Sequence, residues 1–298
     1  LPFSYLIENQ NTSYIFPGVN LKSVGTIRDA QKWPRRDRRT DPDRLDCINY
    51  NLLSPYTIQK MLNGREILNE MKRVSGEISD TYSFQSAKIK NSSLKNGIRY
   101  YEMAINKFLG NSIIKRLENL RFDSDDRIRE RLRPDCGAGE GQWVDVSGMI
   151  APKSEVEALL DDVESGKVAD VRSLHQRFVS IHSDYYNYEW TWAYNLIKPF
   201  YGTDPEMITA EDVIRIVEQW KDSVVGLDRL VYEDARKEFS LGSMTGFGAD
   251  GDSEQKNRDF MEVRGCQFDS NPFVLETLNH IKVKTALGDE LIGRLRDI

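Results

Sequence analysis

The chain has little of what builds a covalent or metal-held framework. Its three cysteines, Cys47, Cys136 and Cys266, are scattered over 298 residues, and no C-x-x-C pair occurs. That argues against a disulfide scaffold and a thiolate zinc site, and it fits a reducing, cytoplasmic setting. Three histidines, His175, His182 and His280, offer little to a mechanism that needs a histidine cluster. Neither a metal nor a cofactor is called for. No apolar run approaches the roughly 18–20 residues that span a bilayer, so no membrane partner is expected. The Gly-rich stretch Gly242–Asp252 lacks the G-K-[ST] ending of a P-loop, and no βαβ pattern surrounds it. A net charge of −6 disfavours generic nucleic-acid binding. The first residue is Leu with no charged leader before it, and Leu1–Ile7 already reads as strand. The chain is therefore expected to continue upstream.

What is present is mostly helical patterning. Short apolar runs at Phe3–Ile7 and Ser13–Phe16 flank a polar turn and predict two strands. From Val19 to Leu45 the chain is irregular and charged, with a short helix near Ile27–Lys32. Ser54-Pro55 opens a helix carrying Ile58, Met61, Leu62, Ile67, Leu68 and Met71. A second helical stretch runs from about Ser92 to Leu120, with Gly110 as a point of division. Arg121–Gln142 reads as a linker or functional loop, and Trp143–Ser147 as a short strand. Ser154 and Glu157 fit a capping box for a helix to Glu164. Asp170–Phe200 is apolar over most of its circumference and predicts one buried central helix. Thr209 caps a helix to about Phe239, and Asn271-Pro272 opens the last one. The expected fold is mainly α: a helical bundle with a short N-terminal β arm. Residues 1–50 form the arm, the end or cap of an upstream domain, and 51–298 the helical domain, with a sub-boundary near 121–142.

Candidate binding residues fall in two clusters. Trp33, Arg35, Arg36, Arg38 and Arg39 gather guanidiniums beside one indole and suit bidentate phosphate contacts. The competing reading pairs those arginines with Asp37, Asp41, Asp43 and Asp46 in a solvated loop. Trp143, Asp145 and Ser147 offer a stacking ring, a carboxylate and a hydroxyl, the last two on one side of a strand; the competing reading is a structural turn. On the aromatic helix, His182, Tyr186 and Glu189 are spaced to face a common cavity, although such stripes are usually core. No catalytic residue can be named.

Three stretches carry a resemblance: Val24-Gly25-Thr26-Ile27-Arg28-Asp29 leading into Trp33–Arg39, Asn51-Leu52-Leu53-Ser54-Pro55-Tyr56-Thr57, and Trp143–Pro152 leading into Glu155–Gly166. They resemble the C-terminal region of large uncharacterised bacterial proteins grouped as UDP-N-acetylglucosamine pyrophosphorylase-related. The resemblance implies an upstream left-handed β-helix as partner domain and a phosphorylated sugar or nucleotide sugar as ligand. Two functions follow as expectations. One is a helical C-terminal module that binds substrate or completes an active site. The other is a non-catalytic capping and oligomerisation domain, a homo-oligomer in either case.

Overall fold

The computed structural model describes residues 1–39, 45–75, 79–118, 123–248 and 251–298, and in it the chain is mainly α-helical. At the N-terminus, β1 (Tyr5–Asn9) and β2 (Thr12–Phe16) form an antiparallel hairpin. Gln10 and Asn11 between them both have positive φ, 48° and 61°, as a two-residue turn matched to strand twist requires. Helix α1 (Val24–Arg36) is longer than the turn expected at Ile27–Lys32. Its ends are fixed from outside: Val24 N–H donates to Asp234 at 3.1 Å, and Arg35 pairs with Glu276 at 3.3 Å. Helix α2 (Pro55–Ser75) begins at a reciprocal cap in which the Ser54 and Thr57 side chains each accept the other's backbone N–H.

Strands are not confined to the arm and Trp143–Val146. A hairpin of β3 (Thr81–Phe84) and β4 (Ala87–Lys90) follows α2. Ala87 and Ile89 are buried while Lys88 and Lys90 are exposed, a period-two signal only four residues long. β4 pairs parallel with β2, giving one sheet of order β1-β2-β4-β3. β5 (Trp143–Val146) likewise has an unexpected antiparallel partner, β6 (Met149–Pro152). β6 runs straight into α5 (Lys153–Glu164), so Pro152 takes the N-cap position and the expected Ser154–Glu157 capping box does not form.

The helical body is built on α3 (Asn91–Leu117), α8 (Ala210–Lys237) and α10 (Pro272–Arg296), with α3 packed on α2 and α8, and α8 on α10. α3 is continuous through Gly110, which does not divide it. α4 (Asp125–Leu132) occupies part of the expected linker, and α9 (Ser253–Arg264), capped by Asp252, follows the Gly-rich stretch. The expected single helix over Asp170–Phe200 is two: α6 (Val171–Ser183) and α7 (Tyr185–Tyr201), meeting at Asp184. Their apolar faces go to different places. Leu174, Phe178 and Ile181 of α6 pack with Met149, Ala151 and Leu159 in a satellite core. Trp190, Trp192, Ala193 and Ile197 of α7 join the main core with Ile105, Leu109 and Trp220. No described helix is long and apolar enough to cross a membrane.

Candidate functional site

Where α3, α7, α8 and α10 diverge they leave a cavity of about 550 Å³, roofed by α1 and the segment Tyr50–Leu53. That is the size range of small-molecule sites, and it mixes apolar walls with a few convergent polar groups. Ala104, Phe108, Leu227 and Val231 supply apolar wall, and Ile27 and Ala30 of α1 face them from above. α3 contributes Lys107, Asn111 and Lys115, one residue per turn along the helix. α7 contributes Tyr186 and Glu189, α8 contributes Asp228, and α10 contributes Glu276 and His280.

Two of these groups are electrostatically unusual, and a third is held by a short hydrogen bond. Lys107 is half-buried and, among the described residues, its ammonium has no hydrogen-bond or ion-pair partner. Burial pushes its pKa below the ordinary lysine range; nearby Lys284 adds to the effect and Asp228 opposes it. Asp228, itself buried, is bonded to His280 Nδ1 at 2.5 Å. A carboxylate on Nδ1 fixes the orientation of an imidazole and leaves Nε2 for other work. Glu189 accepts from the Tyr185 hydroxyl at 2.7 Å. Its carboxyl is pushed up to about 7 by burial, against the opposing pull of that hydrogen bond and of Lys115. Lys115 stands at the rim, its Nζ 4.0 Å above the Tyr186 ring. A lysine and a glutamate whose charged forms are both disfavoured by burial thus line one space, the arrangement from which proton-transfer sites are made.

The residues expected from the sequence lie elsewhere. Arg35 and Arg36 line a shallow cleft between α1 and α10 that shares Gln31, Phe273 and Glu276 with the cavity. Arg38 is exposed beyond the end of α1, and Trp33 lies on α1 with its side chain outside the described residues. Arg39 is clamped by Asp37 at 3.0 Å and Asp46 at 2.8 Å, which hold its guanidinium above its ordinary range. Asp41 and Asp43 fall outside the described residues. Trp143 is 1% exposed, packs edge-on against Tyr185 and donates its indole N–H to the Gly139 carbonyl at 2.9 Å. No open ring face is left there for stacking. Asp145 accepts the Gly148 N–H at 2.7 Å and so is engaged in the turn between β5 and β6, where Ser147 sits exposed at φ 53°. Among the described residues, the two clusters do not line a common pocket. Tyr186 and Glu189 do face the cavity, whereas His182, on the far side of the Asp184 break, lies near the Ile48 carbonyl at 3.3 Å.

The apolar stripe of α3 hides Lys107 and its neighbours in the sequence. The usable signal is the recurrence of Lys107, Asn111 and Lys115 every fourth residue beside that stripe, together with Asp228 interrupting the apolar positions Val224, Leu227 and Val231 of α8.

Two family models match the chain. One, described as a domain of unknown function (DUF6819), covers residues 124–295. The other, also described as a domain of unknown function (DUF4954), covers residues 1–72. Glu189, Asp228 and His280 fall within the first match, the α1 roof and Tyr50–Leu53 within the second, and Lys107 and Lys115 between them. No curated protein and no solved structure matches the chain.

Proposed function

The chain belongs to the DUF6819 family, whose match takes in more than half of its length, and we propose that its central cavity binds a small phosphorylated, sugar-like metabolite. The observation that carries this is the line of Lys107, Asn111 and Lys115 along α3, opposite Glu189, in a cavity of about 550 Å³. Eight residues of helix separate the two lysines, about 12 Å along the axis. That spacing suits a ligand with a polar head at one end and a phosphate at the other. The rim ammonium of Lys115 is the phosphate contact, and Asn111 and Glu189 serve hydroxyl groups. The Arg35–Arg36 cleft opens beside the mouth and adds positive charge to the approach.

Titration calorimetry of the chain with sugar phosphates, UDP-sugars and inorganic phosphate tests the reading. A phosphorylated ligand is expected to bind, and Lys115→Met to weaken it roughly tenfold, the worth of one charge-assisted contact of about 1.5 kcal/mol. Arg35→Ala/Arg36→Ala is expected to change the affinity less than Lys115→Met does. Equal binding by wild type and Lys115→Met removes the phosphate assignment.

A second reading, a capping or assembly module, draws on β1. It is one of the two edge strands of the sheet, and Tyr5, Leu6 and Ile7 are 53%, 62% and 41% exposed. An exposed apolar edge is a template for another strand. If that edge is used between copies, light scattering will give an assembly that Leu6→Lys dissociates. A monomer under both conditions removes self-assembly through β1.

A further inference from the structure

We propose that Lys107 is a nucleophilic lysine that condenses with the carbonyl carbon of a small aldehyde or ketone held in the cavity. This rests on the cavity being a ligand site and names the class of ligand: one carrying a reactive carbonyl, as open-chain sugars do.

Four features of the structure support it. Lys107 lines the cavity and is half-buried in it, and its amine has no hydrogen-bond or ion-pair partner among the described residues. A lysine kept for stability would be expected to hold a carboxylate, yet Asp228, the carboxylate whose charge acts on Lys107, is engaged by His280 at 2.5 Å. Ala104, Phe108 and Leu227 line the same cavity, and burial there disfavours the charged ammonium. A second cation, Lys284, stands close enough to disfavour another positive charge. Desolvation and a neighbouring cation are the two devices that make a lysine amine available as a nucleophile near neutral pH.

The chemistry is balanced without an oxidant or reductant. The lone pair on Lys107 Nζ forms the N–C bond, and the carbonyl π pair moves to oxygen, which takes a proton. Nitrogen then loses a proton, oxygen gains a second one and leaves as water, and C=N closes. Glu189 and His280, the latter oriented by Asp228, line the same cavity and are the groups placed to pass these protons.

The test is imine trapping on the whole 298-residue chain. Glycolaldehyde, which is uncharged, and pyridoxal 5′-phosphate, which is phosphorylated, are each incubated with the protein at pH 7.5 and reduced with cyanoborohydride. Peptide mass spectrometry locates the label. Lys107 is expected to be modified at least tenfold faster than any other lysine by one or both probes, and Lys107→Met is expected to lose that fast phase. Labelling spread over exposed lysines, with Lys107 slow or untouched in the wild type, overturns the proposal, and this outcome does not depend on the variant folding. Sugar-phosphate binding by calorimetry without labelling of Lys107 defeats the imine and leaves the binding reading intact. Labelling of Lys107 without phosphate-ligand binding keeps the imine and removes the phosphate assignment. Failure of both removes both.

Discussion

Gly110→Ala is expected to destabilise the protein by about 1–3 kcal/mol, although alanine is the better helix former by about 1 kcal/mol. At this position α3 meets Trp220 of α8. A Cβ on Gly110 would lie 2.3 Å from Trp220 Cδ1 and 2.4 Å from its Cβ and Cγ. Those atoms are the root and inner edge of a fully buried indole whose N–H donates to Asn111 at 2.9 Å, so the ring cannot swing away without losing both packing and that bond. The two helices must separate instead, and the interior is too closely packed to absorb that cheaply. Trp220→Ala alone empties a large core volume and should cost about 3–5 kcal/mol. In the double variant the clash has no partner, so the two costs should fall short of their sum by about 1 kcal/mol or more. Urea unfolding of the four proteins measures this cycle. Strict additivity would show that Gly110 is not where α3 and α8 touch.

The same position explains where sequence reading succeeds and where it stops. Periodicity and caps locate the helices: Thr209 with Asp212 begins α8, and Asn271 accepts two backbone N–H groups at the start of α10. These signals are local, written in residues three or four apart. Gly110 suggests a division of the helix because glycine's intrinsic preference is local too, whereas its use here depends on an indole 110 positions away. The break at Asp184 has a similar origin. One continuous apolar periodicity covers residues 170–200, and the separate core to which α6 turns is supplied by the β5–β6 hairpin and α5, which that pattern does not encode. Strand β4 is missed because four residues of alternation carry little information against a helical background. As for the site, Tyr186 and Glu189 could be placed on a cavity-facing stripe from spacing alone. For Lys107 and Asp228 the local pattern marks only polar positions on their own helices, and for these two and His280 no local pattern encodes the approach of the three helices that brings them together. Trp143 illustrates the converse: an aromatic ring beside an Asp and a Ser resembles a binding motif in sequence, yet its indole N–H closes onto Gly139 inside the core.

Glu189→Gln is expected to make the protein more stable at pH 8 and to leave it nearly unchanged at pH 5. The folded carboxyl keeps its proton up to about pH 7, because burial between α3 and α7 penalises its charged form, while in the unfolded chain it ionises near its ordinary value of 4.5. Between those limits the folded state binds more protons than the unfolded state. Stability therefore falls as pH rises from about 4.5 to about 7, and it levels off above that. A shift of this size corresponds at most to about 3 kcal/mol, and contact with the cavity's solvent reduces it, so a gain of about 1–2 kcal/mol at pH 8 is the expected reading in urea. Glutamine keeps an acceptor for the Tyr185 hydroxyl and carries no charge to desolvate. A gain of equal size at pH 5 and pH 8 would place the effect in packing, and a loss at pH 8 would mean that Lys115 compensates the carboxylate in full. In the first of those cases Glu189 would be an ordinary buried polar group. If the gain appears only at high pH, Glu189 is a carboxylic acid that still holds its proton close to neutrality, facing the same cavity as the amine of Lys107. A proton donor and an amine whose charged form burial disfavours then line one cavity, the pairing on which imine formation draws.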